Sequence, residues 1–252
     1  MTEKVIDAIE KTNRIASLHI AGAHFGCARS HRHPSTAAYI FGVKNRVEIF
    51  DLEETEKLLM VAKEFAASLG KEGKRILFVG GKPEAQEAVM RAAVSLGMPY
   101  VAGRWIGGTI TNWNEIKKRV LHLADLVEKR EKGELAKYTK WERLEIDHEI
   151  ENLEARFSGI RDVRELPHAL FVIDTRAEHS AVAEARKAGI PVIALLNSDC
   201  NMREVTHPIL GNDATRGSIT YFINEIITAY TSGAKEGFAQ NKIPVAEEIA
   251  TR

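Results

Sequence analysis

The order of apolar segments in the sequence predicts an α/β fold, in which a parallel sheet is flanked by helices on both faces. Short, continuous apolar runs, typical of strands buried on both faces, occur at residues 75–79, 169–173 and 191–196. Segments with helical spacing, residues 83–96 and 177–188, follow the first two runs. Apolar strands that alternate with helices in this way indicate a Rossmann-like parallel sheet.

Between residues 113 and 157 the alternation of strands and helices stops. The sequence there predicts an inserted antiparallel helical hairpin. Gly133 separates two segments, so we expect the second helix to fold back on the first as a coiled-coil arm. The stretch 104–112, with Gly107 and Gly108, marks the end of the α/β body and the start of this arm. Both segments carry apolar residues at the three-four spacing of a helix–helix seam: Trp113, Ile116, Val120, Leu123 and Val127, then Ile146, Ile150, Leu153 and Phe157.

The segment before the sheet is predicted to be a helix, a loop and a β-hairpin. Helical spacing covers residues 3–18, an extended loop covers 21–34, and strand-like runs at 39–41 and 47–50 are joined through Lys44 and Asn45. A helix over residues 53–69 then leads into the sheet.

The chain is predicted to end with a helix that stops at Tyr230 and a polar tail. The predicted organisation is therefore an α/β body of residues 1–112 and 158–231, an inserted helical hairpin of residues 113–157, and a tail of residues 232–252.

The composition is that of an ordinary soluble globular protein, and its overall charge does not indicate a binding partner. The 252 residues are 44% hydrophobic, and 35 basic residues balance 35 acidic ones, so the formal net charge is zero. Two cysteines, Cys27 and Cys200, are too few for a disulfide framework. No signal peptide and no apolar run of about 20 residues is present, so we expect a cytoplasmic protein that makes no membrane contact.

The distribution of charge is more informative than its sum. No acidic residue occurs from Lys11 to Val47, whereas this segment holds several basic residues and four histidines, His19, His24, His31 and His33. In a chain with no net charge, such an asymmetry indicates a surface for a negatively charged partner. We call residues 11–47 the acid-free segment.

Signals for catalysis or for a bound cofactor are weak. Residues 79–83 (Val-Gly-Gly-Lys-Pro) follow a strand and open a helix, but they match neither the dinucleotide nor the phosphate-loop glycine pattern, and Pro83 lacks an amide. Asp174, Glu178 and His179 fall at the same edge of the sheet, where helix capping and surface polarity explain them equally well. We expect no cofactor, no small-molecule substrate and no catalytic residue, and keep a soluble nucleotide-binding enzyme as the alternative.

A metal site in the acid-free segment is also not expected. Its candidate ligands are His24, Cys27, His31 and His33, whose spacing is not that of a structural zinc site.

Several motifs, taken together, resemble one known family. They are, in order, residues 21–26 (AGAHFG), 39–42 (YIFG), 76–80 (ILFVG) with Lys82, 104–109 (RWIGGT) with 111–113 (TNW), 166–174 (LPHALFVID), 189–192 (GIPV) and 208–213 (PILGND). In this order, with the helical insertion between them, they closely resemble the bacterial-type ribosomal protein S2 family. The resemblance implies a Rossmann-like body with a coiled-coil arm. It further implies a structural protein that binds small-subunit ribosomal RNA and neighbouring small-subunit ribosomal proteins, without a catalytic role.

We expect the RNA contacts in the acid-free segment and at the edge of the sheet, and fewer of them in the arm. The chain departs from the family at Cys27, where histidine is usual, and in the loop 29–36. The arm tip, from Lys129 to Arg143, carries six basic residues with Tyr138 and Trp141 among them. The residues predicted to contact RNA are Arg29, His31, Arg32, His33, Lys44, Arg46, Lys82, Arg104, Trp105 and Asn112.

Overall fold

The amino-terminal part of the protein is a helix followed by a small antiparallel sheet; the computed structural model describes residues 3–163 and 165–240. Helix α1 (Glu3–Ile20) is followed by strands β1 (Phe25–Ala28), β2 (Ile40–Lys44) and β3 (Val47–Phe50), and β3 lies between the other two. The predicted β2–β3 hairpin is confirmed. Strand β1 corrects the prediction of an extended loop at residues 21–34, because its pairing with β3 is a tertiary contact that its own four residues do not signal.

A five-stranded parallel sheet forms the centre of the body, as predicted. Helix α2 (Leu52–Lys71) precedes β4 (Ile76–Val79), and α3 (Pro83–Leu96) connects β4 to β5 (Tyr100–Val101). After the arm follow β6 (Ala169–Ile173), β7 (Val192–Leu196) and β8 (His207–Leu210). The spatial order is β5-β4-β6-β7-β8, and every neighbouring pair is parallel. The order reverses between β4 and β6, and sheets of this type bind ligands beyond the carboxyl ends of the strands at that point.

The inserted hairpin consists of α4 (Trp113–Glu131) and α5 (Lys140–Phe157), joined by a short turn at Glu134–Lys137. Thr139 and Glu142 form a reciprocal capping box that begins α5. Ile116, Leu153 and Phe157, near the base of the arm, belong to the same continuous cluster of buried apolar residues as the body. The arm therefore shares its apolar core with the body at its base.

Alternate residues of each strand point to opposite faces of the parallel sheet, and both faces are covered by other elements. The last two helices of the described part of the chain are α6 (His179–Lys187) and α7 (Arg216–Gln240). Among the described residues, no helix is both long and apolar enough to cross a bilayer. One face packs on α6 and the base of the arm, and the other packs on α2, α3 and α7. The first face includes Leu77, Val79, Leu170, Val172 and Ala194, and the second includes Ile76, Phe78, Phe171, Ile173 and Leu195.

Helix α7 continues past Tyr230, where the sequence predicted its end, so the first part of the predicted tail (232–252) is helical. The cause is close packing on α2, since a Cβ added at Gly233 would overlap the backbone of Ala67 and one at Gly237 the backbone of Lys71. Glycines, which weaken an isolated helix, here permit the contact between two helices. Residues 241–252 of the predicted tail lie outside the described residues.

Candidate nucleic-acid interface

Three exposed cations, Arg29, Lys44 and Arg46, lie at one end of the small antiparallel sheet, and we call them the basic cluster. The backbone N–H of Arg29 donates to the carbonyl of Arg46 at 3.1 Å, and Lys44 faces Val47 across the hairpin. Asn45 and Arg46 have φ angles of 52° and 67°, which make the tight turn that brings Lys44 and Arg46 together. Among the side chains that the structure describes, none of the three cations has an ion-pair partner.

Arg32, by contrast, is paired with an acid. Its guanidinium lies 3.4 Å from the carboxylate of Glu48, which is fully buried on β3. Neither carboxylate oxygen of Glu48 has a hydrogen-bond partner within residues 3–163 and 165–240, so Arg32 supplies its charge compensation. The acid-free segment thus has an acid beside it in space, and Arg32, one of the predicted RNA contacts, is paired with that acid.

The two predicted histidine contacts differ in their surroundings. His31 is exposed at the end of a short 3₁₀ turn, Arg29–His31. His33 precedes the next turn, and its Nδ1 lies 2.8 Å from Ser35 Oγ and accepts from the Ser35 backbone N–H. His33 therefore shapes the loop. In the part of the chain that the structure describes, no three His, Cys, Asp or Glu side chains are grouped so that they could hold a metal ion.

Lys82 is held at the carboxyl edge of the parallel sheet by two aspartates. Its Nζ lies 2.6 Å from Asp174 Oδ2 and 2.8 Å from Asp213 Oδ2, and these aspartates follow β6 and β8. Burial by itself lowers the pKa of Lys82, but the two negative charges outweigh it and raise that pKa above its ordinary value. Burial also raises the pKa of Asp213. Lys82, one of the predicted RNA contacts, is therefore charged and compensated within the protein.

The position where a phosphate would bind is occupied by a side chain of the protein. Glu178 Oε1 accepts a hydrogen bond of 3.0 Å from the backbone N–H of Gly81, and Pro83, in the first turn of α3, has no N–H to offer. Burial raises the pKa of Glu178. The open cleft beside these residues, about 500 Å³ in volume, is lined by Lys82, Arg104, Trp105, Glu178 and His179, among others. The edge of the sheet therefore lacks an amide cradle for a nucleotide.

The stretch 104–112 is held by one carboxylate, that of Glu184 on α6. Its two oxygens accept from the Trp105 indole at 3.1 Å and from three backbone N–H groups, those of Gly108, Ile110 and Thr111, at 2.8 to 3.1 Å. Trp105 is buried, whereas Arg104 is exposed. Asn112 precedes α4 with an exposed side chain that makes no capping hydrogen bond.

Two residues that the sequence reasoning did not select fasten the amino-terminal segment to the sheet. Asn212 Nδ2 donates to the carbonyl of Gly22 at 3.0 Å. Ser198 O accepts from the backbone N–H of His33 and from Thr36 Oγ1. Their sequence signal was that both are polar residues shortly after a buried strand, at the edge where such sheets place functional groups.

The fold and the site together define a class, namely a binding protein with a Rossmann-like body in which ion pairs and Glu178 engage the groups at the switch point of the sheet. Its internal carboxylates neutralise Lys82 and Arg32, while the basic cluster keeps its charge at the surface. Such a surface suits a polyanion.

Comparison with known proteins identifies the family. Residues 18–233 match the family model of ribosomal protein S2. Proteins named small ribosomal subunit protein uS2 are 41% identical in Sulfurimonas denitrificans (84% of this chain, 82% of the relative) and 38% identical in Chloroflexus aurantiacus (90% and 96%). The protein of that name from Koribacter versatilis is 39% identical (85% and 71%). The chain belongs to the ribosomal protein S2 family; its role is structural, and the alternative of an enzyme is not supported.

Proposed function

We propose that this chain is a constituent of the small ribosomal subunit in the cytoplasm and that it binds small-subunit ribosomal RNA through the basic cluster. Its matched relatives carry the name of a small-subunit protein. The observation that carries the RNA assignment is the exposure of Arg29, Lys44 and Arg46 at one end of a sheet without an ion-pair partner among the described side chains. Neighbouring ribosomal proteins would contact other surfaces of the chain.

Uncompensated charge distinguishes this surface from the part of the arm that carries Lys129 and Lys132. An arginine or lysine that has no carboxylate beside it can exchange its counterions for a phosphate without first breaking an ion pair. In the arm, Lys129 is paired with Asp125 and Lys132 with Glu128 on the same helix. These exposed pairs are weak, but they lower the local positive potential of the arm relative to that of the basic cluster.

The remaining predicted contacts divide into two kinds. Arg104 and Asn112 are exposed and, with His31, are proposed as secondary contacts to RNA. Arg32, His33, Lys82 and Trp105 are engaged inside the protein, and we propose that they support the interface indirectly.

The proposal is tested by replacing Arg29, Lys44 and Arg46 together with glutamine. Each lost phosphate contact should reduce the magnitude of the slope of log affinity against log salt by about 0.7 to 0.9, so the triple variant should lose about two to three units of slope. The measurement is quantitative reconstitution of the full chain onto small-subunit particles that lack it, at several salt concentrations.

The matched control replaces Lys129, Arg130 and Lys132 with glutamine, which removes the same number of positive charges from the arm. We expect a smaller change in affinity and slope for this control. Thermal melting of both variants should match the unchanged chain, because all six side chains are on the surface. An equal or larger loss in the arm variant would move the principal RNA contact to the arm and contradict the proposal.

A further inference from the structure

The ion pairs at the edge of the parallel sheet are connected to the basic cluster by a continuous series of hydrogen bonds. The series begins at Asp213, which is almost fully buried and whose Oδ2 is held by Lys82 at 2.8 Å. Its other oxygen, Oδ1, accepts from Asn197 Nδ2 at 2.6 Å. Since the Lys82 contact fixes the rotation of the carboxylate, it also fixes the side chain of Asn197.

The next bonds run from Asn197 to the loop that carries Arg29. Asn197 Oδ1 accepts from the backbone N–H of Ser198 at 2.7 Å, which orients a fully buried residue. Ser198 then accepts from both sides of the loop. Its Oγ accepts from the Cys27 backbone N–H at 3.0 Å, and its carbonyl accepts from the His33 backbone N–H at 2.8 Å. We call Lys82, Asp213, Asn197 and Ser198 the anchor network.

Between these two anchoring bonds, the loop is also held by the pairing of Ala28 with Val47 and by the ion pair of Arg32 with Glu48. The turn Arg29–His31 contains no buried residue, so no apolar packing fixes its position. Strand β1 also approaches Ser198 closely, since a Cβ added at Gly26 would lie 3.2 Å from Ser198 Oγ. The position of Arg29 therefore depends on the bonds that Ser198 accepts on either side of it, together with the bond from Arg29 N–H to Arg46 O and the nearby Arg32–Glu48 ion pair.

We infer that Lys82 is a positioning residue for RNA binding, which acts through the anchor network to hold the Arg29 loop and makes no RNA contact itself. This inference rests on the proposed function of the basic cluster. It assigns a role to the ion pairs at the switch point of the sheet, where a related fold would bind a nucleotide. A positioned loop binds RNA more tightly because less conformational entropy is lost on binding.

The test is hydrogen–deuterium exchange of the full chain with Lys82→Met. Opening the anchor network should raise the exchange of the Cys27 and His33 amides by about tenfold, the factor that corresponds to about 1.4 kcal/mol, while β6 stays protected. Lys82→Arg keeps the positive charge and should restore much of the protection. Glu87→Gln, which removes an exposed charge from α3 without touching the anchor network, serves as the control and should leave these two amides unchanged.

Reconstitution at several salt concentrations separates positioning from direct contact. If Lys82 positions the loop, Lys82→Met weakens association but leaves the salt slope unchanged. A slope reduced by about 0.7 to 0.9 would instead identify a phosphate contact and overturn the inference. Unchanged exchange at Cys27 and His33 would overturn it as well.

A second variant decides the question if Lys82→Met does not fold. Ser198→Ala removes only the Oγ acceptor of the Cys27 amide and leaves the ion pairs in place. It should raise exchange at Cys27 and weaken association without a change in slope, and normal exchange there would overturn the inference. Failure of the proposed function gives a different result, because the Arg29, Lys44 and Arg46 variant would then bind normally whatever the exchange of the loop.

Discussion

At the scale of single residues, Glu184 illustrates how one carboxylate organises a whole segment. Partial burial by itself raises the pKa of Glu184, but the hydrogen bonds from Trp105, Gly108, Ile110 and Thr111 outweigh it and hold that pKa below its ordinary value. A carboxyl group with a lower pKa in the folded than in the unfolded protein stabilises the fold above its unfolded pKa. This stabilisation is lost as the pH falls through the folded pKa.

We predict that Glu184→Gln lowers the free energy of unfolding at neutral pH by about 1 to 3 kcal/mol. Hydrogen bonds to a charged acceptor have this magnitude, and glutamine turns an NH₂ group toward backbone N–H donors that then lack a partner. The difference between the two proteins should shrink as the pH falls below the ordinary pKa of a glutamate and through the lowered pKa of Glu184, because the carboxylate is then protonated. Urea denaturation followed by circular dichroism at several pH values measures both effects.

The control for this substitution is Glu87→Gln. Glu87 is exposed on α3 and is paired with Arg91 of the same helix, a kind of contact that contributes little. Its replacement should leave stability nearly unchanged at every pH. A Glu184→Gln effect that did not depend on pH would show that the carboxylate charge is not what holds residues 104–112.

At the scale of elements, the arm has a base and a distal part with different surroundings. Opposite positions on the two helices are marked by His122 and Glu149, whose Nε2 and Oε1 atoms are 3.1 Å apart. Nearer the body, the buried residues Ile116, Leu153 and Phe157 continue the apolar core. The distal part is two helices that pack mainly on each other.

We predict that replacing residues 123–148 with a short Gly–Ser link leaves the body folded with nearly the same melting temperature. The apolar contacts of the excised part are largely between its own two helices, so its removal exposes little of the body surface. Excision of residues 114–157 should lower the melting temperature markedly, because it also removes Ile116, Leu153 and Phe157 from the shared core.

Differential scanning calorimetry of both excisions tests this division. Unfolding of the body by the shorter excision would show that the whole arm is needed for the fold. An equal melting temperature for the two excisions would show that the shared core at the base contributes nothing.

At the scale of the whole molecule, the sheet has the topology of a nucleotide-binding sheet, but the protein's own charged side chains engage the groups that would bind a phosphate. The strand order reverses between β4 and β6, where such folds bind ligands. At this point Glu178 accepts a hydrogen bond from the Gly81 amide, and Asp174 and Asp213 form ion pairs with Lys82. An incoming phosphate would meet carboxylates in place of free amides.

We predict that the full chain shows no saturable binding of ATP, GTP or NAD tighter than roughly millimolar, which corresponds to about 4 kcal/mol. Calorimetric titration measures this directly. Glu178→Gln removes one negative charge from the crevice, but it should not create a micromolar site, because Pro83 still lacks an N–H and Lys82 is still paired. A micromolar isotherm that disappears in Lys82→Met would overturn the prediction.

The sequence by itself determined the central strands, the helical arm and the family. Buried strands such as residues 169–173 are continuous apolar runs, and apolar residues recur every three or four positions in the arm helices. The local pattern of apolar residues therefore predicts which of them are buried. The motifs that resemble ribosomal protein S2 are likewise local, and the family match over residues 18–233 confirms them.

Only the tertiary structure decided which predicted RNA contacts keep a free charge, and where β1 and α7 lie. Lys82 and Asp213 are 131 residues apart in the chain, and Arg32 meets Glu48 only because the antiparallel sheet brings them together. The continuation of α7 past Tyr230 depends in the same way on its contact with α2. A residue's own sequence neighbourhood shows that it is charged, but whether the charge is neutralised depends on partners that folding brings from distant parts of the chain.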